Sequence, residues 1–231
     1  LDALADRLEG RMAVDPEFSA DLKATRARAE AATRRALEPY GPLVDAVQQV
    51  AGRDFNWVRD ITLSNSIWGN RLLRVFDPRA GVHALGGGIG EGLAMGIGAA
   101  VASAVGNGRK TLCLAGDGGF IMNVGELATA VQEKLDLTII LMNDCGYGVI
   151  KNIQDDIYGS RHHYVDLHTP DYELLARSLG VAHQRVSDLS QAEAALARAV
   201  SAGGVQMVEI DMVAIGAFKQ AFAGPPIRKP A

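Results

Sequence analysis

The chain has 231 residues, 48% of them apolar and 22% charged, with a formal net charge of -4. Such a chain is long enough to bury a full core without staples, and its mild acidity argues against a broad nucleic-acid footprint. Its longest uncharged run near the middle, Gly92 to Gly108, is mostly Gly and Ala, short and weakly apolar beside the ~20 apolar residues of a membrane helix, so it reads as a buried helix. The charged start, LDALADRLEGR, is no signal peptide. The two cysteines, Cys113 and Cys145, have no metal-type spacing and fit a reducing, cytoplasmic compartment. With no initiator Met, Leu1 is expected not to be the natural start, and the chain to belong to a longer one.

Residues 1–38 read as helix, with Asp15-Pro16 as N-cap and first-turn proline and a stop at Pro39. The basic residues Lys23, Arg26, Arg28, Arg34 and Arg35 read as a solvated face complementing the helix dipole rather than as a nucleic-acid patch. From residue 42 short strands and helices alternate. A helix near 42–51 precedes a strand near 55–60, then comes a Ser/Asn-rich turn, Thr62 to Ser66, leading to Trp68 and a helix. A short strand near 81–84 precedes a glycine cluster and an Ala-rich helix to about 105. The strand KTLCLA (110–115) leads through GDGG to a helix near 122–134. The strand LTIILMN (137–143) ends in DCGYG and a further helix. Strands near 181–186 and 205–211 flank a helix at 190–201, and the tail from Gly224 reads as extended. This alternation predicts an α/β fold, a doubly wound parallel sheet flanked by helices.

Glycine carries the next signal. Thirteen of the 26 glycines fall between Gly86 and Gly125, in an apolar stretch with no three-residue period, so they are neither linker nor collagen. Backbone brought close to a ligand explains them better. In an open parallel sheet ligands lie beyond the carboxyl ends of the strands. Asp117 and Asp144 stand there on consecutive predicted strands. Two such carboxylates without Cys or His neighbours suit a hard cation, above all Mg²⁺. Gly116, Gly118 and Gly119, followed at once by a helix, form an N–H cradle for an anion. Metal plus cradle point to a phosphate or diphosphate.

Gly116-Asp117-Gly118, followed by Asn143-Asp144 and Gly146-Tyr147-Gly148, resembles the thiamin-diphosphate motif, and GDGGFIMNVGELATAVQEKLDLTIILMNDCGYG is similar to acetolactate synthases and benzoylformate decarboxylases. The similarity covers roughly residues 42–212. It implies a diphosphate-binding (PP) domain over 39–215, the end of a preceding middle domain over 1–38 and a tail over 216–231. It implies, further, Mg²⁺ held by Asp117, Asp144 and the Gly146 carbonyl, and diphosphate contacts from Gly118, Gly119 and the turn Ser64, Asn65 and Ser66. Gly116, Tyr147 and Gly148 belong to the same cofactor-binding set. Gly87-Gly88-Ile89-Gly90 resembles the family's segment beneath the cofactor, where Ile89 would force the two rings into a V and the Gly87 carbonyl would accept from the 4′-amino group beside the thiazolium carbon. The implied reaction is decarboxylation or carboligation of a 2-keto acid. The family's catalytic Glu lies on a separate pyrimidine-binding (PYR) domain, expected from missing sequence or another subunit of a homodimer or tetramer, so this chain alone is expected to be inactive.

Asp144 departs from the motif's second Asn. Two carboxylates ~4 Å apart repel by about 4 kcal/mol at an effective dielectric near 20, so cofactor binding should depend strongly on the metal. Ile153 stands where acetolactate synthases carry a Trp beside the substrate. With His83 and Ile150 it is a candidate substrate contact, and each of the three also reads as surface or core. His162-His163 reads as a solvated loop. A dinucleotide-dependent oxidoreductase is the alternative, although the G-x-G-x-x-G spacing is absent. A non-catalytic binding or assembly module of the same fold is another.

Overall fold

The computed structural model describes residues 2–11, 15–106 and 108–224. Its helices are α1 (Asp2–Leu8), α2 (Phe18–Ala36), α3 (Gly41–Ala51), α4 (Gly92–Val105), α5 (Asp117–Phe120), α6 (Leu127–Gln132), α7 (Gly148–Ile157), α8 (Tyr172–Ser178), α9 (Ala192–Ala202) and α10 (Met212–Ile215). Its strands are β1 (Phe55–Arg59), β2 (Gly81–His83), β3 (Lys110–Gly116), β4 (Leu137–Asn143), β5 (Ala182–Val186) and β6 (Val205–Asp211). They form one sheet in the order β2-β1-β3-β4-β6-β5, every neighbouring pair parallel.

Parallel strands covered on both faces read as continuous apolar runs, and β4 is buried throughout. Successive residues face opposite layers. Ile139 and Leu141 of β4 pack with Cys113, Ala115 and Met207 beneath α4, α6 and α8. Ile140 and Met142 pack with Trp57, Leu114 and Val208 beneath α3 and α9. The result is the doubly wound three-layer α/β fold read from the sequence. The chain runs from β1 outward to β2 and then returns to place β3 on the other side of β1, so the winding reverses between β1 and β3. A crevice opens at such a reversal, beyond the carboxyl ends of the strands.

Several local expectations are corrected. The single helix over 1–38 is divided: Gly10 follows α1 with φ 70°, residues 12–14 lie outside the described residues, and α2 starts only at Phe18. Asp15, three residues before α2, accepts from the Glu17 N–H at 2.9 Å instead of capping the helix directly. No residue of α2 is buried, and its Arg34 bonds Glu30 and Asp45, as a solvated face requires. The helix near 122–134 begins earlier and in pieces, because Asn123 (φ -123°, ψ 21°) breaks the 3₁₀ turn Ile121–Glu126 between α5 and α6. Two short helices went unread. Asp171 caps α8 by accepting from Leu174 N–H, and Asp211 caps α10 by accepting from Ala214 N–H. Of the extended tail, residues 225–231 lie outside the described residues. Just before it, Phe218 is buried against the Tyr40 ring, and the N–H groups of Lys219 and Gln220 donate to the carbonyls of Glu38 and Ala36. Among the described residues no helix is long and apolar enough to cross a membrane.

Candidate functional site

Three acidic residues stand directly after strands: Asp60 after β1, Asp117 after β3 and Asp144 after β4. A cavity of about 390 Å³ opens beside them, lined by both glycine segments and by the Ile61–Ser64 turn. Thr62 shapes that turn, its Oγ1 accepting from the N–H groups of Ser64 (2.9 Å) and Asn65 (3.3 Å).

Asp117 and Asp144 face each other within hydrogen-bonding reach. Asp117 is fully buried, and its Oδ2 accepts from the Gly146 N–H at 3.1 Å. Burial first, and then the charge of Asp144, push the Asp117 carboxyl above the usual carboxylate range. Burial also pushes Asp144 up. The nearest cation acting on Asp144 is Lys151, whose Nζ is taken by Asp166 at 3.0 Å. Asp117 is buried and Asp144 half-buried, and a divalent ion between two such facing carboxylates would relieve their repulsion. Two carboxylates plus backbone oxygens suit Mg²⁺ better than a softer metal.

The glycines around the pair are needed for space. A Cβ on Gly118 would lie 2.6 Å from the Tyr147 ring, one on Gly119 2.5 Å from Asp60 Oδ2, and one on Gly148 would strike Asp144 Oδ2. Gly87 is different: nothing lies within 4 Å of its Cβ position, and it is φ 81° that demands glycine there. Gly90 packs against protein, its Cβ position 3.1 Å from Met122 Sδ and 3.3 Å from the Gly119 carbonyl. The close approach at Gly90 is therefore between the two glycine segments.

Asp60 joins them. It is completely buried and accepts from the N–H groups of Ile61 (2.8 Å) and Gly90 (3.1 Å to each oxygen). Asn123 Nδ2 donates to the Gly90 carbonyl at 2.6 Å. Both polar groups of the Gly90 backbone are thus clamped, and the loop carrying Gly87 and Ile89 is fixed over the cavity. Burial pushes the Asp60 carboxyl up, against the N–H groups that hold it ionised. Sequence reading passed over Asp60, although it carries the same signal as Asp117 and Asp144, an acid directly after an apolar strand.

Of the residues singled out from sequence, Ser64, Ser66, Gly87, Ile89, Gly116, Asp117, Gly118, Gly119, Asp144, Gly146, Tyr147, Gly148 and Ile150 line the cavity. Ile89 is 39% exposed there. Asn65, Gly88, His83 and Ile153 do not line it. Asn65 turns inward, its Oδ1 accepting from Arg59 Nη1 at 3.2 Å. His83 ends the edge strand β2 and is exposed. Leu63, Met142, Val149 and Met212 line the cavity as well, and their sequence signal, an apolar residue beside a strand end, does not separate them from core.

Residues 63–210 match the family described as thiamine pyrophosphate enzyme, C-terminal TPP binding domain. The chain belongs to that family. A probable 2-ketoarginine decarboxylase of Pseudomonas aeruginosa is 32% identical over 87% of this chain and 36% of its own length. The large subunit of acetolactate synthase isozyme 2 of Escherichia coli is 31% identical over 54% of this chain and 23% of its own. The benzoylformate decarboxylase of Polynucleobacter necessarius shares the fold, with a TM-score of 0.67 at 20% identity over 76% of this chain and 33% of that one. The chain thus spans about a third of the first of these relatives and less of the second. The TPP-binding family accounts for the site's unexplained atom. Ser64 Oγ is buried at the cavity without a hydrogen-bond partner, and a diphosphate oxygen there would give it an acceptor. Hydroxyl, glycine cradle and facing carboxylates together fit thiamin diphosphate and its metal.

Proposed function

We propose that this chain supplies the diphosphate- and Mg²⁺-binding half of an enzyme that decarboxylates a 2-keto acid or joins its acyl group to a second molecule. One observation carries the reading: Ser64, Ile89, Asp117 and Asp144 converge on one cavity from separate strand ends. Relatives named for 2-ketoarginine and benzoylformate support the substrate class. Residues 39–215 are proposed as the PP domain, 1–38 as the end of a middle domain and 216–231 as a tail. A PYR domain, from further sequence or another subunit of a homo-oligomer, completes the site. The free cysteines Cys113 and Cys145 support a cytoplasmic setting.

Asp117, Asp144 and the Gly146 carbonyl are the proposed Mg²⁺ ligands. The Gly118 and Gly119 amides and the Ser64 hydroxyl would donate to the diphosphate, as fixed dipoles facing its charge. Ile89 is stiff at χ1 and sits on a loop clamped at Gly90, so it would support the cofactor, and the Gly87 carbonyl would accept from its aminopyrimidine. When bound, thiamin diphosphate supplies the carbon nucleophile and the electron sink that decarboxylation requires. Leu63, Val149, Ile150 and Met212 give the cavity an apolar wall that excludes water from the acyl group. Of the proposed substrate contacts, Ile150 is the one kept.

The test is calorimetric titration of the full-length protein with thiamin diphosphate, with Mg²⁺ or with excess chelator, followed by CO₂ release from pyruvate, benzoylformate and 2-ketoarginine. Saturable binding only with Mg²⁺, and turnover of at least one acid, are expected. Failure to bind with either, or preferential binding of NADH, refutes the reading. Binding without turnover of any 2-keto acid favours the non-catalytic module.

A further inference from the structure

Asn143 ends β4, one residue before Asp144, and its side chain spans two partners. Nδ2 donates to Glu209 Oε1 on β6 at 2.8 Å, and Oδ1 accepts from the Cys145 N–H at 3.2 Å. A carboxylate only accepts, so Glu209 compels Asn143 to turn its NH₂ toward β6 and its oxygen toward the turn. The other oxygen, Glu209 Oε2, lies 2.9 Å from His183 Nε2 on β5, with the side chains 3% and 6% exposed. Arg185 approaches Glu209 Oε1 only to 4.0 Å and is taken by Asp211 at 2.7 Å. Downstream, Cys145 has φ 53°, a left-handed conformation that residues with a Cβ rarely adopt. On its far side the turn is held by two backbone bonds of 2.8 Å, Leu167 N–H to Cys145 C=O and Tyr147 N–H to Val165 C=O. On the near side the Asn143 amide holds the Cys145 N–H, next to the bond that the Gly146 N–H donates to Asp117.

We infer that Glu209, oriented by His183, is a positioning residue for the cofactor's metal: by fixing which way the Asn143 amide faces, it fixes the left-handed Cys145 and so the backbone presenting Asp144 and Gly146. The inference rests on the proposed assignment of Asp144 and Gly146 as metal ligands. Groups behind metal ligands act by orientation rather than contact, and their loss weakens metal binding with little change in the fold.

E209Q is the discriminating change, since it preserves shape and lets the new amide compete with Asn143 for the donor role. The double variant N143D/E209Q exchanges donor and acceptor: the introduced carboxylate accepts from the new amide and from the Cys145 N–H. In the full-length protein with saturating thiamin diphosphate, Mg²⁺ titration by calorimetry should show E209Q half-saturating about 10–100-fold higher than the parent, and the double variant returning most of the way. Melting of the metal-free proteins should place E209Q within a few degrees of the parent. An unchanged Mg²⁺ titration in E209Q overturns the inference, as does a double variant no better than E209Q, and the double variant decides should E209Q alone fail to fold. If the parent itself binds neither Mg²⁺ nor thiamin diphosphate, the ligand assignment falls and the inference with it. Parent binding with E209Q unchanged removes the inference only.

Discussion

Asp144 is where this chain departs most from the motif it resembles, and its environment gives the departure a measurable sign. Burial raises both Asp117 and Asp144, so the native metal-free protein holds protons that the unfolded chain has released. The pair's stability contribution is therefore fullest below the unfolded carboxylate pKa and is lost as pH rises through the raised native values. D144N removes one of the facing charges. With chelator present, it should melt above the parent by an amount equivalent to about 1–3 kcal/mol at pH 8, and the gap should close as pH falls toward 5. A gap that widens on acidification contradicts the assignment. The same variant should need less Mg²⁺ for thiamin diphosphate binding, which the binding titration reads directly.

At the scale of elements, α4 shows how one residue type serves unlike purposes within a few turns. Gly96 packs on Cys113, its Cβ position 3.3 Å from Cys113 Cβ, whereas Gly98 faces open space. Gly92 is packed as closely, its Cβ position 2.6 Å from Asp60 Cβ, so on α4 close packing requires glycine at Gly92 and Gly96 and not at Gly98. G98A should stabilise the protein by about 0.5–1 kcal/mol through helix propensity. G119A, which sets a Cβ against buried Asp60 and the Gly90 backbone, should destabilise by about 1–3 kcal/mol and weaken cofactor binding. Thermal melting of the two side by side checks both signs. Asp117 and Asp144 were legible because the signal is local, an acid at the end of an apolar run before glycines. Asp60 shares the strand-end position but has no glycines after it, and its effect, like that of Glu209, falls on another segment, on Gly90 as Glu209's falls on Asn143. The inward turn of Asn65 likewise follows from Arg59, whose Nη1 donates to Asn65 Oδ1 in the interior. The periodicity that placed the strands carries no such information, and the caps of α8 and α10 govern segments too short to show a period.

At the scale of the whole molecule, the cavity lies where the winding reverses, and its apolar rim is open. Ile89 and Ile150 line it and remain substantially exposed, as expected of a site completed by another domain. This chain expressed by itself should bind thiamin diphosphate with Mg²⁺ yet release no CO₂ from pyruvate, benzoylformate or 2-ketoarginine, while the full-length protein does. Turnover by the isolated chain would contradict the proposed division of the site.

The returning segment has a consequence of another kind. Lys219 and Gln220 bond the backbone of Glu38 and Ala36, and Phe218 packs on Tyr40, so the polypeptide enters and leaves the sheet through a single doorway. A unit whose two ends are stitched together can be spliced into a larger protein, or moved along one, without prising its neighbours apart. The stitch lies beside Asn152 of α7, whose Nδ2 donates to the Phe222 carbonyl, and α7 grows directly from the Asp144 turn. Whatever pulls on either end of the chain pulls on the same seam, one helix away from the cradle.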